Sequence, residues 1–436
     1  MAREYKDSGI EWIGQIPKEW KIVPFKAYFT TGKGLSFTKA DLTPQGHAVV
    51  SYGQVHSKVN TGTRLDDTLL RYIPDSITEN GDASRMNKGD FIFADTSEDL
   101  EGCGNCVYVD RNMELYAGYH SVTAKPKVQY DNKFLAYYFL TPCWRSQIRS
   151  RVTGIKVYSI SQSIINKTYI FVPPLSIQQK IADYLDKICG EVDELVAIQE
   201  TMIEELKAYK QSVITEAVTK GLNPNAPMRD SGIDWIGQIP EHWEIRRIGN
   251  LFKLRDEKNY KPMDEVQLLS LYTGIGVFPH GEQEERGNKA ITVEGYKVVH
   301  KDDIVVNIIL AWMGAIGVSN YDGVTSPAYD VYIPDLSNVV PHFFHYVFRT
   351  QGIAGECYKY GRGIMMMRWR TYSSEFKLIS VPFPSMEEQQ LIANFLDTKC
   401  AEIDSLIALK QAKIDELKEY KKSVIYEYVT GKKEVV

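Results

Sequence analysis

Apolar residues recur in alternating steps of four and three along two stretches of this chain. In the first, Ile181, Leu185, Ile188, Val192, Leu195, Met202, Leu206, Tyr209 and Val213 keep the rhythm, and Gln199 is its one plainly polar member. A seam sustained over so many turns predicts a coiled-coil helix rather than a globular amphipathic one. The second seam is Ile392, Leu396, Lys399, Ile403, Leu406, Lys410, Lys413, Leu417, Tyr420 and Val424. Its three lysines weaken it and leave the register of a helix pair open; their stems would pack while the ammonium heads reach water. Both helices have legible ends. Pro173, Pro174 and Pro384 stand upstream, Ser176 and Ser385 are candidate N-caps, and Gly221 and Gly431 are candidate terminators. The first helix is predicted from about Ile177 to Thr219.

These stretches belong to a larger repeat. DSGIEWIGQIPKEW, from Asp7 to Trp20, recurs as DSGIDWIGQIPEHW, from Asp230 to Trp243, with only three positions changed. PPLSIQQKIADYLDKICGEVDEL, from Pro173 to Leu195, matches PSMEEQQLIANFLDTKCAEIDSL, from Pro384 to Leu406. The bodies between these blocks differ in length and share little identity. A duplicated frame therefore carries two unlike inserts. The predicted domains are 1–172, the helix 173–221, 222–383 and the helix 384–436. Chain order makes antiparallel pairing of the helices the simplest solution. The expected fold is α+β: two globular recognition domains held apart by two long antiparallel coiled-coil helices, related by a pseudo-two-fold axis, with the chain ends close together.

The inserts mix strand-like and helical patterns. His47–Val55, Asp90–Asp95, Cys106–Asp110, Val266–Tyr272 and Asp303–Leu310 read as strands. Asn132–Ile148 and Pro341–Ile353 read as helices.

Charge sharpens the picture locally rather than globally. The 436 residues carry a net charge of -5, which argues mildly against coating nucleic acid by bulk attraction. Yet Asn132 to Ala182 contains no acid, and neither does Cys357 to Ser374. A basic segment with aromatic residues thus occurs at the same place in each half. Phosphate binding needs such local charge, and arginine is the commonest reader of base edges. The candidate DNA contacts are Arg145, Arg149, Arg151, Lys156 and Tyr158 in the first half. In the second they are Arg362, Arg368, Trp369 and Arg370. The arginines would contact phosphate or guanine; the aromatics would pack on sugars or a displaced base.

Other chemistry finds little support. No GxxxxGKS/T phosphate loop, GxGxxG turn, HExxH or NPPY-like tetrad is present. Cys103 and Cys106 form a lone CxxC, which reads as a glycine-rich turn rather than a zinc site, although Cys143, His47, His56 and His120 could complete one. Asp90 and Asp95, after Lys88, resemble nuclease acids only as strand-end acids do in many α+β proteins. Six sparse cysteines suggest no disulfide framework. The N-terminus is no signal peptide, and no apolar run approaches the ~18 residues of a membrane span, so a cytoplasmic location and no membrane association are expected.

The duplicated DSGIEWIGQIPKEW motif and the PPLSIQQKIADYLD and PSMEEQQLIANFLD helix starts strongly resemble Type I restriction–modification specificity subunits. The resemblance covers the frame of the whole chain and the inserts only loosely. It implies a non-catalytic subunit whose inserts each read half of a bipartite site in double-stranded DNA. It implies docking of two modification subunits, which methylate adenine, and of a restriction/translocase subunit. S-adenosylmethionine, ATP and Mg would sit on those partners and no cofactor on this chain. The alternatives are an enzyme with a nuclease or methyltransferase site hidden in the inserts, and a scaffold with no DNA role.

Overall fold

The structure is a computed structural model that describes residues 4–10, 14–79, 81–127, 131–273, 275–281, 292–363 and 369–435. It divides into two compact units, Met1–Gln199 with Ala412–Val436, and Glu200–Gln411. Each unit combines one opening motif, one insert and portions of both long helices.

Each opening motif folds into a small antiparallel pair, Tyr5–Asp7 with Gln15–Pro17 and Met228–Asp230 with Gln238–Pro240. Trp20 and Trp243 then plug the two cores, at 0% and 1% exposure. The chain enters and leaves each insert on one ladder. Lys21–Pro24 pairs with Tyr169–Val172, and Glu244–Arg247 pairs with Ser380–Phe383.

Inside the inserts, one four-stranded antiparallel sheet is repeated. In the first unit its order is Phe29–Lys33, Ser121–Pro126, Phe91–Ala94, Cys106–Tyr108. In the second it is Phe252–Leu254, Tyr329–Pro334, Ile304–Asn307, Ile316–Val318. The other strands diverge. The first insert adds a mixed four-stranded sheet in which Leu115–Ala117 runs parallel to His47–Val50. The second has two separate pairs there, Leu269–Tyr272 with Gly276–Pro279 and Lys297–Val299 with Gly323–Thr325.

The predicted strands are shorter than the runs that suggested them. His47–Val55 is strand only to Val50; Tyr52–Val55 turns helical behind Ser51, which forms a capping box with Gln54. Both predicted insert helices break in two. Asn132–Phe139 is followed by Pro142–Arg149, and Pro341–Val347 by Gln351–Tyr360. The second piece restarts behind a threonine in each case: Thr141 precedes Pro142, whose missing N–H is harmless at the first helical position, and Thr350 caps Ile353.

The long helices run Leu175–Lys220, 46 residues, and Met386–Val429, 44 residues. Ser176 lies inside the first and is no cap, whereas Ser385 Oγ accepts the Glu388 N–H as expected of one. The helices are antiparallel within each unit. Lys421 bonds Asp193 at 2.6 Å in the first, and Lys210 bonds Asp404 at 2.7 Å in the second. The buried seam keeps only a minority of its expected members. Ile181, Leu185 and Val192 are buried, but Leu195, Met202 and Tyr209 are exposed, and Cys189, Ile203 and Ile214 are buried instead. The same shift on the second helix buries Cys400 and Ile414. Lys399 and Lys413 therefore stand on the surface, paired with Glu402 and Glu416. Two seams one residue apart both satisfy a four-three rhythm, and only packing chooses between them.

Both helices end at glycines of positive φ, Gly221 at 74° and Gly431 at 72°, each packed on the tryptophan of an opening motif. Gly221 meets Trp243, and Gly431 meets Trp20 and Pro17. Tyr5 Oη also donates to the Gly431 carbonyl at 3.2 Å, so the chain ends do meet.

Candidate nucleic-acid interface

The two basic segments occupy equivalent places. In the first insert, Thr153 and Ser159 form a β-bridge that closes a short loop. Tyr158–Ser159 pairs with Thr96–Ser97, and the Ile160 N–H donates to the Asp95 carbonyl at 2.6 Å. In the second, the bridge is Arg362 with Arg370, and the Thr371 N–H donates to the Ile308 carbonyl at 2.9 Å. Each loop thus follows the second insert helix and is pinned to the end of the corresponding strand, Phe91–Ala94 or Ile304–Asn307. Tyr158 and Trp369 hold matching positions just before the pin.

The individual side chains differ in availability. Arg145 and Arg149, from helix Pro142–Arg149, both donate to the Glu101 carbonyl, at 3.3 and 2.8 Å. They brace the 99–102 turn rather than reach outward, and burial lowers the pKa of Arg145 below the ordinary arginine value. Arg151 is exposed but folds one guanidinium nitrogen onto the Gln147 carbonyl. Lys156 is exposed at the loop, and Tyr158 is half-buried. In the second insert Arg362 is exposed and ion-paired with Glu375. Trp369 stacks on Tyr358 at 5.1 Å between centroids and donates to its carbonyl at 3.0 Å. Arg370 is half-buried beside it, and Arg368 lies outside the described residues.

Sequence reasoning missed the polar hollows flanking the first loop. One, of about 780 Å³, is lined by Lys33, Phe37, Tyr119, His120 and Gln162. The other, of about 770 Å³, is lined by Tyr52, His56, Asn105, Arg145 and Val157. His120 lies between them in a left-handed conformation, φ 53°, with Nδ1 3.3 Å from Asp95 Oδ1. Tyr52 and Tyr119 approach its ring edge-on at 5.5 and 6.0 Å. Half-buried aromatic rings around the exposed His120, with Lys33 nearby, offer both stacking faces and hydrogen bonds to bases. No local signal marks these residues as a group, because the fold gathers them from separate segments of the insert.

The CxxC cysteines are buried around Gly104, and burial pushes the Cys106 thiol up to about 12. His56 bonds the Thr96 carbonyl at 2.7 Å and Asn105 at 3.3 Å. Among the described residues, no group of three His, Cys, Asp or Glu side chains could hold a metal. Asp90 is 4% exposed and accepts the Asn87 N–H in the turn before its strand.

A duplicated helical frame carrying two unlike α+β inserts, each with a pinned basic loop, defines a repeat protein with two variable recognition domains. The model of the Type I restriction modification DNA specificity domain matches residues 17–208 and again 240–419. The chain belongs to that family and carries its domain twice, as the specificity subunit of a type I system does. Among curated relatives, the type I restriction enzyme MjaX specificity subunit of Methanocaldococcus jannaschii is 26% identical over 440 residues, covering 96% of this chain and 95% of the relative. The EcoBI specificity subunit of Escherichia coli is 26% identical over 309 residues, covering 64% and 60%. A solved structure described as the structural basis of complex assembly and conformational transition of the type I R-M system is similar with a TM-score of 0.67, at 13% identity, covering 95% of this chain and 98% of that one. The HsdS subunit of Thermoanaerobacter tengcongensis is similar with a TM-score of 0.51, at 15% identity, over the same shares.

Proposed function

We propose that each insert reads one half of a bipartite sequence in double-stranded DNA, through the loop 153–159 in the first, the segment bracketed by the Arg362–Arg370 bridge in the second, and the surfaces beside them. The observation that carries this reading is the matched position of those loops in two otherwise unlike inserts. Arg151, Lys156, Arg362, Arg368 and Arg370 would supply phosphate or base contacts, and Tyr158 and Trp369 flat apolar ones. Arg145 and Arg149 would act by holding the 99–102 turn.

The chain itself is non-catalytic on this reading. It docks two modification subunits and a restriction/translocase subunit, which hold S-adenosylmethionine, ATP and Mg, and it works in the cytoplasm. Among the described residues no helix is long and apolar enough to cross a membrane. The test is to map methylated adenines in cells carrying the chain with its partner subunits. Two motif halves at fixed spacing are expected, and exchanging the first insert should change one half only. A purified chain that alone methylates or cleaves DNA refutes the reading.

A further inference from the structure

The apex of the loop in the first insert has an unusual composition. Ile155 is 97% exposed and Val157 53%. Single exposed apolar residues are common on protein surfaces and need no explanation by themselves. Ile155 differs because the backbone is built to hold it out. A Cβ on Gly154 would sit 2.1 Å from the Val157 carbonyl oxygen, so the turn is tighter than any other residue permits. Below it the Thr153–Ser159 bridge closes the loop, and Tyr158–Ser159 pairs with Thr96–Ser97. Ile160, fully buried, anchors the outgoing strand. The apex is therefore rigidly placed, and little conformational entropy is lost when it meets a partner.

Its surroundings fit a nucleic acid. Lys156 is exposed on the loop and Arg151 at its foot. On one side, the hollow that includes Val157 also holds Glu98, Asp99 and Glu101. Those carboxylates repel phosphate and suit the amino groups of bases, so that side belongs against base edges rather than the backbone. A loop closed by one bridge and backed by the short Tyr158–Ser159/Thr96–Ser97 pair has room in the major groove, roughly 12 Å wide, that the minor groove at roughly 6 Å lacks. The one apolar feature that a major groove offers is the thymine 5-methyl group.

We propose that Ile155 is a specificity-determining residue that packs on a thymine methyl in the major groove of the first half-site. This rests on the assignment of DNA reading to the inserts. It adds which atom is read, and it requires an A·T pair under the apex.

The test uses the chain assembled with its modification subunits and its mapped DNA site. Each thymine of the first half-site is replaced in turn by deoxyuridine, which removes only the methyl group. Wild-type binding should weaken about three- to five-fold at one position, the effect of one buried methyl-sized group. Ile155→Ala should weaken binding to thymine DNA by a similar factor and be indifferent to uracil at that position. Replacing thymines of the second half-site should affect both proteins equally. Because Ile155 makes almost no buried contact, the variant keeps its fold, which its urea midpoint checks. Wild-type indifference to every uracil overturns the proposal. So does an Ile155→Ala protein that keeps the uracil effect, or that loses affinity while uracil costs the wild type nothing. If no bipartite methylation motif maps to the chain, the parent reading fails; if one maps and uracil has no effect, only the Ile155 contact fails.

Discussion

One turn occurs in both inserts with its charge handled in opposite ways. Asp90 and Asp303 each precede the central strand and accept a backbone N–H three residues back, from Asn87 at 2.8 Å and His300 at 2.7 Å. The residue before each has positive φ, Gly89 at 98° and Asp302 at 72°. Asp303, 2% exposed, is also gripped by Arg255 through two bonds of 2.9 Å. Asp90 has no such partner: burial raises its pKa, with the Asn87 bond and distant Lys125 opposing only in part. Asp303→Asn leaves a mostly buried guanidinium facing an amide. Breaking a buried pair costs ~3–5 kcal/mol, and the lower end is expected here, because Glu257 stays 3.2 Å from Arg255. Asp90→Asn keeps the acceptor and removes a charge that burial disfavours, so it should match or exceed wild-type stability at neutral pH. A carboxyl with a raised folded pKa destabilises the fold above that value, and the penalty disappears below the unfolded value near 3.8; the advantage of the variant should vanish there too. Native-state hydrogen exchange reads the two units separately. Opening free energy at Ile304–Asn307 should fall by about 3 kcal/mol in Asp303→Asn, and that at Phe91–Ala94 should hold or rise in Asp90→Asn. Equal losses in both variants would refute the reasoning. Loss of methylation or cleavage in Asp90→Asn with stability and DNA binding intact would favour a catalytic role for that acid.

Three further outcomes are expected. Gly431→Ala places a Cβ 2.4 Å from the Pro17 ring at positive φ, whereas Gly221→Ala meets Trp243 only at 3.1 Å. Both should lose ~1–2 kcal/mol to the left-handed backbone, and Gly431→Ala ~1–3 more to overpacking, readable as a larger drop in urea midpoint. Burial, together with Arg349 and His342, lowers the His345 pKa from 6.5 to about 3. Its contribution to stability is complete above 6.5 and fades as pH falls toward the folded value, by about 1.4 kcal/mol per pH unit; His345→Gln should flatten that part of the urea-stability profile of the second unit. Arg149→Ala should leave the Glu101 carbonyl with only the longer Arg145 bond of 3.3 Å and raise hydrogen exchange across residues 99–102, with only a small effect on overall stability.

The frame was legible because periodicity and repetition are carried by contiguous residues. The opening motifs, the long helices and their antiparallel sense all follow from order along the chain. The phase of the seam did not, because Leu195 and Ile203 satisfy the same rhythm and burial alone separates them. The repeated sheet was hidden for a different reason. Phe91–Ala94 and Ile304–Asn307 share a role, burial on both faces, that many apolar sequences fill. The basic loops were found by charge, but charge cannot show that Arg145 and Arg149 turn inward to Glu101. His120, Tyr52 and Phe37 meet only through tertiary folding.

The duplicated contacts explain how such inserts can diverge while staying seated. Gln178 donates to the Pro173 carbonyl and accepts the Asp131 N–H; Gln389 does the same with Pro384 and Val340. Tyr137 donates to Asp186 at 2.7 Å and Tyr346 to Asp397 at 2.6 Å, each carboxylate also holding a basic side chain, Lys133 or His342. The aspartate contacts are directional, charge-assisted bonds between an insert helix and a long helix, the glutamine bonds are neutral but equally directional, and together they fix angle as well as distance. Dispersion packing alone would let an insert pivot as its core sequence drifted. With the seat set by a glutamine and a tyrosine–aspartate pair, sequence can change everywhere beyond that seat, loops included, without changing where the loops are presented. On the proposed reading, substitution of loop residues would then alter what is read while the seat of the insert on the helices stays constant.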